Sequence, residues 1–264
     1  MLTLVRRSAA RLTKPFAAVA ALLFCFQVVL IGMAGSFVAT ESFDGLSRIK
    51  LPSFIRMFGM SRATFSGMSI YGYYEPLAVM LVVQLAIYIA TEPAGEVDSG
   101  LVDLMLARPL PRAHLVTRSI ALTIAATLGL TAAMASGTWI GLTFLAPAGA
   151  ALPSWRTVGV LITHLAFLGV AFGCVALAAA AWSERRGPAQ GAVALFAVGS
   201  YLIDIVGEGW SRAAPVARFF PFHYYHGNAI IFGNARTTLD LLVFTAIAVA
   251  ASSAAYWQFS RRDL

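Results

Sequence analysis

The sequence predicts an all-α polytopic membrane protein with six transmembrane helices, on three observations. Of its 264 residues, 59% are apolar and only 12% charged, whereas an ordinary soluble domain is about a quarter charged. Mean hydropathy is +0.78. Six apolar stretches also approach the length of about 20 helical residues that crosses a hydrocarbon core about 30 Å thick. In that core the backbone finds no water, so a crossing segment must satisfy its own hydrogen bonds, as a helix does.

In chain order, residues 1–15 place Leu2, Val5, Ala9 and Leu12 on one helical face and Arg7, Arg11 and Lys14 on another, the pattern of a short interfacial helix beside anionic headgroups. The spans are expected at 16–38, 68–90, 119–145, 155–181, 190–206 and 239–258. The first is longer than the 7 to 15 apolar residues of a secretory signal, so it reads as a retained helix. The first outer loop, 39–67, carries Pro52, Phe54, Ile55, Met57 and Phe58 and suits an amphipathic segment resting on the interface.

Segment 91–118 is expected on the cytoplasmic side. Pro93 and Gly95 end the second span; Val97, Leu101, Leu104 and Met105 then recur at helical spacing opposite Asp98 and Asp103, until Pro109 and Pro111 stop the helix. A short amphipathic helix of this kind suits a groove on a soluble partner. On lipid its acidic side would be repelled by anionic headgroups.

Pro147, Gly149 and Pro153 make the next loop short, which predicts antiparallel neighbours in the third and fourth spans. The fifth span is short and followed by Glu208, so it is expected to end or break near the outer surface. Residues 207–238 mix prolines and glycines with Phe219, Phe220, Phe222, Tyr224, Tyr225 and Phe232, which predicts a broken outer hairpin at the water–lipid boundary.

The net charge of +7 comes from 17 Arg and 2 Lys against 12 acidic residues. These charges are spread among short loops, which makes membrane topology a better account of them than a nucleic-acid surface, and no nucleic-acid partner is expected. With the N-terminus inside, Arg6, Arg7, Arg11, Lys14, Arg108, Arg112, Arg118, Arg185, Arg186, Arg261 and Arg262 all fall inside, 11 of the 19 basic residues. The positive-inside rule therefore predicts cytoplasmic N- and C-termini. The preference for Arg over Lys points to a GC-rich bacterial genome, hence a bacterial cytoplasmic membrane. Cys25 and Cys174 fall in spans, where a thiol acts as a small apolar group.

Glu75 and Asp204 sit at membrane depth, where a charge costs about 2.5 to 3.5 kcal/mol at a helix centre, so they should face protein or water. With His164, Glu208 and Asp240 toward the outer half, they form a candidate translocation path; interhelical hydrogen bonding accounts for them equally well. No metal site is expected: the histidines form no H-E-x-x-H, and His223 and His226 have no carboxylate between them. No catalytic residue is expected either, since no nucleophile–histidine motif occurs. The pairs Gly137/Gly141, Gly169/Gly173 and Gly187/Gly191 have G-x-x-x-G spacing, but 22 glycines give about two such pairs by chance. A P-loop needs G-x-x-x-x-G-K-[ST], and Lys14 and Lys50 both lack the preceding glycine, so ATP hydrolysis is not expected in this chain.

The run Glu96, Gly100, Leu104, Pro109, Arg112 (E-x3-G-x3-L-x4-P-x2-R) after the second span resembles the signature segment of ABC type-2 exporter permeases. The ending Phe259-Ser260-Arg261-Arg262-Asp263-Leu264 is similar to the FxRRDL-like terminus of that family. The resemblance covers the whole layout and implies one transmembrane permease domain over 1–264, with a coupling helix in 91–118. It further implies that Glu96, Val97, Gly100, Leu101, Leu104, Met105, Pro109 and Arg112 engage a separate ABC ATPase subunit, which binds ATP and Mg. A second permease chain, identical or related, completes the exporter in the lipid bilayer. The sequence departs from the family's commonest pattern at Leu101 (Thr is frequent), Pro111 (Ser) and Arg118 (Lys). A non-transporting sensor or scaffold would carry the same segment, a secondary transporter would run without ATP, and a membrane enzyme would need a catalytic motif. The aromatic outer segments fit an amphipathic substrate but discriminate poorly.

Overall fold

A computed structural model of the chain describes residues 2–39, 64–98, 113–183, 185–231, 233 and 235–261. Among these the fold is all-helical with no strands, and six helical stretches, the second of them the interrupted run Phe65–Ala90, are long and apolar enough to cross a membrane. Helix α1 runs Leu2–Ala39; α2 is Phe65–Ser69, followed by a 3-10 turn at Tyr71–Tyr73; α3 is Pro76–Ala90 and α4 Glu92–Asp98. Then come α5 (Ala113–Phe144), α6 (Trp155–Trp182), α7 (Arg186–Gly209), α8 (Ala214–Ala217), a 3-10 turn at Pro221–Tyr224, α9 (Gly227–Ile231) and α10 (Thr237–Arg261). Residues 40–63 of the expected outer loop and 99–112 of the expected cytoplasmic segment lie outside the described residues.

Three expected boundaries are corrected. Helix 1–15 and span 16–38 are one continuous helix, α1, with Pro15 inside it. At 38 residues, α1 is about 57 Å long, well beyond the hydrocarbon thickness. Span 68–90 is instead broken at Glu75, which caps α3 by accepting a hydrogen bond from the Ala78 N–H at 2.9 Å, with Pro76 in the first turn, where its missing N–H costs nothing. The fifth span is longer than expected: α7 runs 24 residues, starting at Arg186 instead of 190 and ending one residue beyond Glu208.

Helix α6 is the hub. Two-thirds of its most apolar window is buried (67%), against 11% for α10, so α6 packs on protein and α10 presents most of its surface outward. Leu161, Leu165, Phe172 and Leu177 of α6 join Val82 and Ile87 of α3, Leu130 and Met134 of α5, and Phe244 and Phe259 of α10 in one core. The outward faces are apolar too: Leu195 and Leu202 on α7 and Leu242, Val249 and Trp257 on α10 are exposed, as lipid contact requires.

Two of the three glycine pairs carry close helix contacts. A Cβ at Gly137 would lie 2.7 Å from the Phe24 carbonyl oxygen, and one at Gly141 2.7 Å from Ile31 Cδ1, so the pair seats α5 against α1. A Cβ at Gly169 would lie 2.8 Å from Thr127 Cγ2, which seats α6 on α5. Gly187 and Gly191 meet nothing within 4 Å. Gly137→Ala, facing backbone that cannot swing aside, is expected to cost about 1 to 3 kcal/mol. Gly191→Ala should be near neutral, and thermal unfolding of the two purified variants in one detergent checks the contrast.

The bundle has two recognisable ends. Arg11, Thr91, Arg118 and Arg186 meet at one, joined there by Tyr256, whose hydroxyl shares a 2.7 Å hydrogen bond with that of Thr117. This is the near end. At the far end Gly35 approaches Pro147, Tyr225 approaches Tyr73, and Asp204 meets His223.

Candidate functional site

At the near end, Thr91 ends α3 and α4 begins at once, its first residue being Glu92. Gly95 allows α4 to lie against the aliphatic stem of Arg186, whose Cδ would be 3.1 Å from a Cβ at that position. The Arg186 guanidinium donates to the Tyr88 carbonyl at 2.6 Å and stacks 4.1 Å from the Tyr88 ring centroid. It thereby occupies a carbonyl at the C-terminal end of α3, where a positive charge is favoured.

Glu96 sits at the centre of this end and is 1% exposed. Its Oε1 accepts from the Arg11 guanidinium of α1 at 2.9 Å and its Oε2 from the Arg118 guanidinium of α5 at 2.6 Å. Arg11 also reaches Glu92, 3.1 Å away. One carboxylate thus ties three elements together through a charge-assisted bond on each oxygen. The coupling-segment residues expected to bind a partner divide accordingly. Glu96 is turned into the bundle, Val97 lies in α4, and Gly100, Leu101, Leu104, Met105, Pro109 and Arg112 lie outside the described residues.

At the far end, the candidate path residues have separate surroundings. Glu75 caps α3 and lines an apolar groove of about 470 Å³ with Leu22, Phe26, Leu30, Met33 and Leu77. His164 is fully buried; its Nδ1 lies 2.8 Å from the Val160 carbonyl, and its Nε2 3.7 Å from Asp240 Oδ2, too long for a hydrogen bond. Asp204 Oδ1 lies 3.2 Å from His223 Nδ1 and 3.9 Å from His226 Nε2, and Glu208 Oε1 lies 3.5 Å from His226 Nε2. The carboxylate missing between the two histidines in sequence therefore comes from α7. A cavity of about 700 Å³ beside this cluster is lined by His223, His226, Tyr224, Arg218, Arg236 and Asp240.

The hairpin that carries these histidines is anchored by Tyr225, whose hydroxyl donates to the Tyr73 carbonyl. Burial raises the Tyr225 phenol above its ordinary pKa, which keeps it a proton donor. Phe222 packs on Phe172 and Tyr201, with ring centroids 5.4 Å apart in each case.

Sequence reasoning missed a polar knot in the core. Gln27 of α1 donates to Thr138 Oγ1 of α5 at 2.9 Å, and the Tyr73 hydroxyl lies 2.8 Å from the same oxygen. All three side chains are buried. A lone Gln within an apolar span was the signal, since an amide in hydrocarbon needs a partner. Thr127 and Thr131 of α5, also buried, satisfy themselves by donating to carbonyls four residues back, at 2.9 and 3.0 Å.

Compared with known proteins, the chain matches no family model, and no curated protein or solved structure matches it.

Proposed function

We propose that the chain is the membrane-spanning subunit of an ATP-driven exporter of the ABC type-2 kind, acting with a second permease chain and a pair of separate ATPase subunits that bind ATP and Mg. The near end then faces the cytoplasm of a bacterial cell, in keeping with the positive charges gathered there. The substrate leaves from the cytoplasm or the membrane.

The observation that carries this reading is the Glu96 clamp. A segment that received a push from an ATPase would need a rigid joint to the spans, and the Glu96 bonds to Arg11 and Arg118 supply one to α1 and α5, while α3 continues into α4 directly. Nucleotide-driven closure of the ATPase pair would displace α4 and the segment after it, and the clamp would deliver that motion to three spans as a rigid-body tilt.

Leu101→Asp combined with Leu104→Asp is expected to abolish co-purification with the ABC ATPase subunit, and to abolish stimulated ATP hydrolysis in liposomes. Retained association together with stimulated hydrolysis would overturn the coupling role. Substrate movement without ATP would instead identify an ion-driven carrier.

A further inference from the structure

We infer that Asp204, His223 and His226, with Glu208 as a fourth donor, form a binding site for a divalent transition metal of the zinc class at the far end of the bundle. The four donors come from two parts of the chain that only the fold brings together. Asp204 and Glu208 are one helical turn apart on α7, and His223 and His226 flank the end of the 3-10 turn before α9.

The spacing is close to that of a coordination sphere. A tetrahedral metal holds N and O donors at about 2.0 to 2.2 Å, which places the donors about 3.3 to 3.6 Å from one another. The edges of the cluster are 3.2 Å (His223 Nδ1 to Asp204 Oδ1), 3.5 Å (His226 Nε2 to Glu208 Oε1) and 3.9 Å (His226 Nε2 to Asp204 Oδ1). The donor atoms of Asp204, His223 and His226 all lie within 4.8 Å of one another. The two imidazole planes are perpendicular, with centroids 5.2 Å apart, so their lone pairs approach from different directions instead of competing for one.

Donor chemistry narrows the ion. Two imidazoles with carboxylates suit Zn(II) and its neighbours, whereas Mg(II) and Ca(II) prefer all-oxygen cages. Three protein ligands would leave a position for water or a substrate atom, and Glu208, more exposed than the other three, would close the sphere by turning inward. The cavity lined by His223 and His226 gives the ion a route in. Arg218 and Arg236 line that cavity and repel cations, while Asp240 attracts them, so retention rests on the ligand bonds and not on a general negative field.

The same distances would also serve two imidazolium–carboxylate pairs with no metal, and titration separates the two accounts. Untagged full-length protein in detergent, stripped with chelator, is titrated with Zn(II) by calorimetry and with Co(II) by visible absorption. The expected result is one ion per chain, a tetrahedral-type Co(II) spectrum and a raised Tm with Zn(II). His223→Gln, His226→Gln and Asp204→Asn should each weaken binding by more than about 100-fold, beyond the loss typical of outer-shell partners, and Glu208→Gln by roughly 10-fold. His114→Gln should bind as the wild type does. Absent stoichiometric binding, or binding indifferent to the two His→Gln changes, would overturn the site. Should those variants not remain monodisperse, the wild-type protein answers alone: Zn(II) should protect His223 and His226 from diethyl pyrocarbonate, read by mass spectrometry, and unchanged labelling would overturn the site equally. The exporter reading can fail while this site stands, because its readouts need neither ATP nor a partner.

Discussion

Arg118→Met is expected to destabilise the folded chain by about 3 to 5 kcal/mol, the range for removing one partner of a buried ion pair. Arg118 and Glu96 have side chains only 2% and 1% exposed, so the remaining carboxylate could not turn to water. Arg11 would still hold one oxygen, but from a half-exposed position, and Oε2 would be left buried without its closest donor. The measurement is the Tm of the purified variant in detergent, with the yield of monodisperse protein as a second readout. The double variant Arg118→Met with Glu96→Leu should recover much of the loss, because an apolar pair removes the orphaned charge. If the near end is a coupling joint, that double variant should fold yet fail to link ATP hydrolysis to transport. A small effect of the single change would mean that water reaches Glu96.

Gly72→Ala is expected to have the next largest effect. A Cβ at that position would fall on the Gln27 side-chain amide and lie 3.3 Å from the Phe26 ring. Gln27 could yield only by giving up its bond to Thr138, in a core where neither group would find water. Overpacking adds about 1 to 3 kcal/mol, and breaking the buried hydrogen bond adds a further penalty of about 1 to 3 kcal/mol. Adding Gln27→Ala to Gly72→Ala makes room for the methyl group, so the double variant should be less destabilised than the sum of the two single changes. Strict additivity would show that residue 72 does not press on Gln27.

The six long helices were legible because hydrocarbon thickness is a length that can be counted along the chain. Their ends were less so. The fifth span begins at Arg186 and not at 190, and its end beside Glu208 gave no sign that an imidazole, His226, lies 3.5 Å from that carboxylate in the hairpin beyond α7. Asp204 and His223 are 19 residues apart, and Arg11 and Glu96 are 85 apart. No periodicity links such pairs; only the fold does. The glycine pairs illustrate the same limit. Gly169/Gly173 and Gly187/Gly191 share one spacing, yet only the first has a helix packed against it. Gln27, in contrast, was legible in principle, since an amide in an otherwise apolar span calls for a buried partner.

The unbroken course of α1 has a mechanical corollary. A rod about 57 Å long that tilts by roughly 5° carries its tip sideways by about 5 Å, close to the pitch of one helical turn. Since Gly137 and Gly141 leave no slack between this rod and α5, the two would swing as a single plank, and a nudge to Glu96 at one end of the bundle would be felt beside Pro147 at the other.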